Sequence, residues 1–570
     1  MSFDAARWKA GFIRNPFRQR LLIVVVILIV FWDGLFAGMP RADQVQFLYQ
    51  LASIGPGVDN WLDFMSWNRV IAHGDEGLYR PVLYALLVGC HRLFGYNFVL
   101  WQMTSLALHV LAVLGLHALL LRGSLRETAL PFLLALLFAV TLLGSELVLW
   151  QHIMGYVLFC VLAVFSLIHV LHYLEHGRTR DIWIGALLGL LAEFTYELGV
   201  VVNLLIGITL AMYRYRQVGR GAGRRAEVPG NATAFRHGLM FMSIALAYPV
   251  CSFLDLALRG LSLPAGEPFS VVKLLLSLNY TVRQLAFWLE AALFPTAYGV
   301  APISRMVVTS ISFGWATPQI VNYVLVAIFA IGALVSLRAW RKRNRSAGLF
   351  GAVATTLPAL LFLFVYSWVI AYGRSVPRGI EYVLYGNVYY SYMAYLTMLV
   401  GIALFTWSIE QTKVTRFSIQ DRESAVLGGN TTAGPVSNWR GMLLRVGICG
   451  LLILNAAETV SIAARFRYEF ALPLDLLYFR ARLWVERYGQ AHDTYFVLAQ
   501  CKFRGAPYWE RTSGSGVYTK IPPNDVHRRA DSVTFVDLLY PRLSYVLQKS
   551  HLAGRAVTIR DICDDAMTGP

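Results

Sequence analysis

Long apolar runs separated by short polar segments occupy most of the chain from residue 21 to residue 463. Several runs are close to the ~20 residues that an α-helix needs to cross a bilayer. A water-soluble protein with this pattern would need several helices buried on every side and nothing amphipathic to cover them. The pattern predicts an all-α polytopic membrane protein with about 11 spans. The spans are predicted near residues 21–39, 97–121, 129–147, 153–174, 182–213 (two short helices), 239–258, 319–337, 348–372, 388–408 and 442–463.

Two further segments are helical in pattern but carry charge among their apolar positions. The first, Pro81 to Phe94, contains His91 and Arg92, and the second, Ser270 to Phe294, contains charged residues such as Lys273. Both are predicted to be amphipathic helices lying in the membrane interface. They belong to a first outer loop at 40–96 and a second outer loop at 260–318.

The apolar segment 182–213 lies between two basic segments, so both of its ends are predicted to be cytoplasmic. An even number of crossings must then fit into about thirty residues. Two short helices or a re-entrant hairpin would satisfy this, with Glu193 and Glu197 near the turn, where protein or water must surround them. The alternative is one long tilted span with an inverted loop.

Composition agrees with a membrane protein: hydrophobic residues make up 57% of the chain, charged residues 15%, and the mean hydropathy is +0.54. The net charge of +17 does not indicate nucleic-acid binding, because the basic residues cluster between apolar runs, as in the positive-inside pattern. Residues 1–20 are basic and predicted to be cytoplasmic. This orientation places both long loops on the outer side.

The predicted domains follow from these segments. After the cytoplasmic N-terminus, residues 21–409 form the transmembrane domain, 410–440 a polar cytoplasmic linker and 441–463 the last span. Residues 464–570 form an outer tail whose helical and strand-like runs, the latter at 494–499 and 532–537, predict a small α/β domain. Cys501 and Cys563 are the only cysteines of this tail, which makes them candidates for a disulfide. The remaining cysteines lie in apolar segments and are predicted core residues: Cys90, Cys160, Cys251 and Cys449.

The first outer loop carries the clearest candidate chemistry. Between residues 40 and 79 it holds five acidic side chains, including Asp43, and two basic ones. The chain has no CxxC pair, HExxH, glycine-rich phosphate loop or GxSxG elbow in a suitable context. Zinc hydrolases, ATPases and serine hydrolases therefore have no support.

Four features carry a resemblance to a known family: the N-in first span, Asp43 shortly after it in a long outer loop, Tyr79-Arg80-Pro81 before the next helices, and Leu106-Ala-Leu108-His109-Val-Leu. In layout the first 410 residues resemble GT-C glycosyltransferases, a group that includes protein O-mannosyltransferases and aminoarabinose lipid A transferases. The resemblance implies an inverting enzyme of the inner membrane. It would move a sugar from a polyprenyl-phosphate donor to a cell-envelope glycan, lipid or protein on the outer side.

The resemblance gives Asp43 the role of general base, or of the group that orients the acceptor hydroxyl. Many relatives have a second acidic residue beside the first, whereas Gln44 follows here, so a divalent metal requirement stays open. The alternative is structural, because Pro40-Arg-Ala-Asp43 is a reasonable helix N-cap.

The donor phosphate requires fixed cations, and guanidinium groups bind phosphate oxygens with paired hydrogen bonds. The candidates are Arg80, Arg374 and Arg378. Other side chains are predicted to line the cavity: Glu146, His152, Glu193, Glu197, Tyr382 and Tyr389. The alternatives are that such arginines snorkel and that the tyrosines belong to the interfacial belt. His109 and His117 are predicted to hydrogen-bond neighbouring helices.

Two other functions fit the same layout. A polymerase or ligase of lipid-linked glycans would use an outer loop near Arg374 and would not need Asp43. A lipid or solute transporter would favour paired broken helices in two matching halves, whereas the sequence shows one interrupted segment without a partner.

Overall fold

The computed structural model describes the helical parts of the chain and a few short strands. The described residues are 15–36, 79–95, 97–126, 128–217, 231–258, 270–293, 347–376, 389–424, 439–465, 467–468, 494–496, 502–503, 506–507 and 558–560. Almost all of them are helical. Asp43, Arg378, Tyr382, Cys501, Cys563 and the predicted span at 319–337 lie outside these ranges.

The helices are α1 Pro16–Val30, α2 Pro81–Phe94, α3 Phe98–Leu120, α4 Leu130–Ala139, α5 Leu142–Leu149, α6 Met154–His176, α7 Thr179–Thr195, α8 Gly199–Gln217, α9 Asn231–Ile244, α10 Ala247–Leu258, α11 Val271–Leu293, α12 Ala347–Ile370, α13 Tyr390–Ser424 and α14 Trp439–Arg465. Short 3₁₀ turns occupy Asp33–Phe36 and Gln151–Ile153, and a π turn, Ala371–Ser375, follows α12. In the tail, β1 Thr494–Phe496 pairs in parallel with β4 Thr558–Arg560, and β2 Lys502–Phe503 pairs antiparallel with β3 Ala506–Pro507.

Six helical stretches in the described part of the chain are long and apolar enough to cross a membrane. They are Phe98–Leu120, Met154–His176, Ala232–Leu258, Thr355–Ser375, Tyr390–Ile409 and Gly447–Ala464. Each overlaps one predicted span. The described residues are therefore consistent with an all-α membrane protein, whereas the total of about 11 spans stays a prediction.

The first helix begins earlier and ends sooner than the apolar run predicts. Asn15 caps it, since its side-chain oxygen accepts a hydrogen bond from the Arg18 N–H at 3.2 Å, and Pro16 occupies the first turn. After α1 the chain enters the 3₁₀ turn, where Asp33 forms an ion pair with Arg467, just beyond the end of α14. The first and last helices of the apolar region therefore meet at this end.

The predicted span at 129–147 is two helices, α4 and α5, because the helix breaks at Val140 and Thr141. The break frees backbone carbonyls, and side chains from other helices satisfy them. His109 Nε2 lies 3.0 Å from the Ala139 oxygen, and the Thr459 hydroxyl donates to the Val140 oxygen at 2.9 Å. Because a carbonyl only accepts, His109 Nε2 carries the proton and Nδ1 accepts from the Tyr392 hydroxyl at 3.0 Å.

The segment 182–213 forms two short helices, as predicted. The chain leaves helical geometry at Tyr196, and α8 starts at Gly199. Asn203 on α8 donates to the Gly189 oxygen on α7 at 3.0 Å. These two residues lie equally far along the chain from Tyr196, on either side of the break. This contact shows that α7 and α8 fold back on each other as a hairpin.

Glycines allow α8 to pack closely against α9. A Cβ added at Gly207 would lie 2.8 Å from the Gly238 oxygen, and one at Gly238 would lie 2.7 Å from the Gly207 oxygen. Small residues at facing positions are the usual means by which apolar helices approach backbone to backbone. The hairpin is therefore fixed to the next helix along the chain.

A seam of polar side chains joins α11 to the end of α12. Ser367 donates to the Gln284 side-chain oxygen at 3.1 Å, and Trp368 Nε1 donates to the Ser277 hydroxyl at 3.0 Å. Contacts of α11 from Lys273 to Trp288 fall on residues 366–375. The interfacial position of α11 stays a prediction.

Several smaller predictions can be compared with the structure. α13 continues to Ser424, well into the segment predicted as a linker from residue 410. His117 is buried and hydrogen-bonded to Gln19 at 2.9 Å, which confirms its predicted role between helices. Cys90 and Cys160 are buried, as predicted, but Cys449 is exposed, so its assignment to the core was wrong.

Candidate functional site

A buried ion pair joins the end of the first loop to the break between α7 and α8. Arg80 precedes α2, and its Nε and Nη2 donate to the two Glu197 carboxylate oxygens at 3.0 and 2.9 Å. The Arg80 side chain is 10% exposed and that of Glu197 is 31% exposed. The pair is bidentate, the arrangement in which a guanidinium is held in one orientation.

Two tyrosines extend this ion pair into the bundle. The Arg80 Cζ lies 4.0 Å above the centre of the Tyr196 ring, a cation–π contact. The Tyr196 hydroxyl donates to the Tyr156 hydroxyl at 2.7 Å, and the two ring centres are 4.6 Å apart. Arg80 is therefore fixed by a carboxylate on one side and an aromatic face on another.

The start of α13 adds a second layer of rings. Tyr389 lies against Tyr156 with a centroid distance of 5.6 Å, against Tyr390 at 4.3 Å and against Trp150 at 6.3 Å. The Tyr366 hydroxyl of α12 donates to the Tyr390 backbone oxygen at 2.7 Å. We call Arg80, Glu197, Tyr196, Tyr156, Tyr389 and Tyr390 the Arg80 cluster.

Glu193 lies one turn before Glu197 and has different hydrogen-bond partners. One carboxylate oxygen accepts from the Asn203 amide at 2.7 Å, and the other accepts from the Tyr248 backbone N–H at 2.8 Å. Glu193 thus braces the α7–α8 hairpin against the turn into α10. The Tyr79 ring contacts Tyr248 at 5.9 Å, so the brace also reaches the residue before Arg80.

The electrostatics keep Arg80 charged. Burial alone would lower the pKa of the guanidinium, but the Glu197 carboxylate, with smaller effects of Tyr196 and Tyr156, raises this pKa well above its ordinary value. Two of the three guanidinium nitrogens donate to Glu197. Among the residues that the structure describes, Nη1 has no hydrogen-bond partner, so it could donate to an anion.

The cluster is assembled from segments that the sequence places on one side of the membrane. Arg80 ends the first loop, Tyr156 follows the turn after α5, Glu197 occupies the hairpin turn, and Tyr389 immediately precedes α13. The outer position of these segments stays a prediction.

The structure brings together four of the predicted site residues: Arg80, Glu193, Glu197 and Tyr389. Arg374 lies in the π turn after α12, a turn in which Ser375 hydrogen-bonds Gln284 of α11. The backbone of Glu146 belongs to α5 and that of His152 to the turn Gln151–Ile153, but their side chains are not among the described ones. No role predicted for these residues is tested by the structure.

Sequence reasoning missed the pairing of Arg80 with Glu197 and the part played by Tyr156. A signal was present, because ionisable residues next to or within apolar helices usually pair with one another. Arg80 and Glu197 are such residues, of opposite charge, and both were predicted on the outer side. Their separation of 117 residues in the chain hid the relation.

Comparison with models of protein families, with curated proteins and with solved structures finds no match to this chain. Inference about function therefore rests on the residues and the geometry.

Proposed function

We propose that this protein is a GT-C-like glycosyltransferase of the inner membrane, with a cytoplasmic N-terminus and an outer C-terminal tail. It moves a sugar from a polyprenyl-phosphate donor to a glycan, lipid or protein of the cell envelope, on the outer side. The observation that carries the proposal is the Arg80 cluster, a fixed cation among aromatic rings at the end of the loop that contains Asp43.

The cluster suits the recognition of a phosphorylated sugar lipid. Glu197 and the Tyr196 ring hold the Arg80 guanidinium, and Nη1 can donate to a phosphate oxygen without moving it. Aromatic faces pack against the apolar faces of sugar rings, and Tyr389 with Trp150 offers such surfaces nearby. A cation that is already in position costs little reorganisation when charge develops on the leaving phosphate.

The reaction needs one base. We assign it to Asp43, whose carboxylate accepts the proton of the acceptor hydroxyl while that oxygen attacks the anomeric carbon. The bond from the anomeric carbon to the phosphate oxygen breaks, the configuration inverts, and the polyprenyl phosphate leaves with the electron pair. Arg80 stabilises the charge that develops on this phosphate.

The proposal is tested in a strain from which the gene is deleted, complemented with wild type, Asp43→Asn or Asp59→Asn. Asp59 is the matched control, since it is an acidic residue of the same loop. We expect wild type and Asp59→Asn to restore one sugar on an envelope lipid, glycan or protein, measured by mass spectrometry. We expect Asp43→Asn to lower this modification at least 100-fold, the scale of a lost general base.

Immunoblotting of membranes confirms that each variant is made in equal amount. If Asp43→Asn restores the modification as fully as wild type, Asp43 is not the base. If deletion removes no sugar from any envelope component, the transferase proposal is wrong.

A further inference from the structure

A second polar cluster lies at the opposite end of the same helices. Tyr156 of the Arg80 cluster and Glu175 are both on α6, nineteen residues or roughly 28 Å apart along the helix axis. Around Glu175, at the last turn of α6, His172 and His176 offer imidazole nitrogens. One ligand atom from each of these three residues lies within 4.8 Å of the others.

The spacing of these residues follows a pattern known from zinc sites. His172-Tyr-Leu-Glu175-His176 reads H-x-x-E-H, the reverse of the H-E-x-x-H arrangement, in which the two histidines bind zinc and the glutamate is the base. Glu175 is a candidate ligand because of its position beside both imidazoles. Residues four apart lie on one face of a helix, and the His172 and His176 ring centres are 4.8 Å apart. Ligand atoms that bind zinc at ~2.0–2.1 Å in tetrahedral geometry are roughly 3.4 Å from one another. Side-chain rotations that move each ligand atom by about 1 Å therefore bring these atoms to zinc-binding distances.

Glu175 is held in the way that metal-binding carboxylates are usually held. Arg122, after α3, donates to one carboxylate oxygen at 2.7 Å, and Trp407 Nε1 of α13 donates to the other at 2.7 Å. Hydrogen-bonded partners of this kind orient a ligand and are a regular part of metal sites. They also connect the cluster to two further helices.

Asp181 offers an oxygen from the next helix. Gly177 ends α6 in the left-handed conformation with φ of 72°, and the chain turns at once into α7. The Asp181 Oδ1 lies 3.1 Å from His169 Nδ1 and 3.7 Å from His172 Nδ1. Asp181 can therefore orient His172.

We propose that His172, His176 and Glu175 bind one divalent transition-metal ion of the zinc class, with water as the fourth ligand. Two imidazoles and one carboxylate favour zinc over magnesium or calcium, which prefer oxygen ligands. The site lies at the predicted cytoplasmic end of α6, where Glu175 contacts Arg122 after α3 and Trp407 of α13. The site is separate from the Arg80 cluster and does not depend on the proposed transferase activity.

The test uses the full chain, purified in detergent without a histidine tag and loaded with Zn²⁺ before gel filtration. Metal content is measured by inductively coupled plasma mass spectrometry. We expect one zinc per chain in the wild type and at least a tenfold weaker affinity in His172→Ala and in His176→Ala. Co²⁺ in place of Zn²⁺ should give the visible absorption of a tetrahedral site.

His237→Ala is the matched control, because His237 hydrogen-bonds Tyr173 of the same turn but is not one of the three ligands. It should retain zinc as the wild type does. His172→Gln and His176→Gln, which keep side-chain volume and polarity, separate loss of a ligand from loss of folding. Wild-type protein without bound zinc, or folded His172→Ala and His176→Ala proteins with unchanged affinity, would overturn the proposal.

Discussion

Arg80 and Glu197 show how a charged pair is tolerated in a mostly apolar protein. Arg80 is nearly enclosed. Its two hydrogen bonds to the Glu197 carboxylate and its contact with the Tyr196 ring compensate for the lost hydration. Removal of one partner leaves the other buried without a counter-charge. Such a loss usually costs more free energy than the intact pair contributes.

We expect Arg80→Gln and Glu197→Gln each to lower the free energy of unfolding by about 2 kcal/mol. This loss is smaller than the usual cost of breaking a fully buried ion pair, because Glu197 is partly exposed. The double variant should lose no more than the single ones, because no unpaired charge is left. Thermal unfolding in detergent measures this. Arg92 is an exposed arginine on α2, the helix that follows Arg80, so Arg92→Gln should change the free energy of unfolding little. Strictly additive losses in the double variant would contradict the pairing.

The sequence predicted several residues of the Arg80 cluster but not their relations. Glu193 and Glu197 stood out because a carboxylate within an apolar stretch is costly, and Arg80 stood out as a cation for the donor phosphate. Their separate roles, an ion pair for Glu197 and a brace for Glu193, depend on contacts with Arg80 and Asn203 across the fold. Periodicity along one helix contains no information about such contacts.

At the scale of helices, apolar run length located the six candidate spans in the described part of the chain, but it located the helix breaks poorly. The hairpin of α7 and α8 could be predicted because the basic segments at both ends required an even number of crossings. The break between α4 and α5 could not, because His109 and Thr459, which satisfy the freed carbonyls, lie on distant helices. The extension of α13 to Ser424 was missed because polarity was taken as a sign of a linker.

The break between α4 and α5 gives a testable consequence. Thr459→Val keeps the shape but removes the donor to the buried Val140 oxygen, so we expect a loss of about 1–2 kcal/mol in unfolding free energy. Thr397→Val is the control, since the Thr397 hydroxyl bonds the Met393 oxygen within its own helix. Equal thermal midpoints for the two variants would show that Thr459 does not support the break.

At the scale of the whole molecule, the two polar clusters lie at opposite ends of α6, at Tyr156 and at Glu175. The Arg80 cluster gathers segments predicted outside, and the cluster around Glu175 gathers the ends of α3 and α6, the start of α7 and Trp407 of α13, all predicted near the cytoplasmic face. Which of these two ends faces the cytoplasm stays a prediction. The tail could be predicted only in outline, and β1 overlaps the strand-like run at 494–499.

The central claim is that a sugar leaves a polyprenyl phosphate on the outer side and enters the envelope. Mass spectrometry of lipid extracts and envelope fractions from the deletion strain tests it most directly. We predict that one sugar disappears from an envelope component while a polyprenyl monophosphate carrying a sugar of the same mass accumulates. Accumulation of an oligosaccharide on a polyprenyl diphosphate would indicate a polymerase or ligase instead, and unchanged glycans with unchanged polyprenyl lipids would contradict the account.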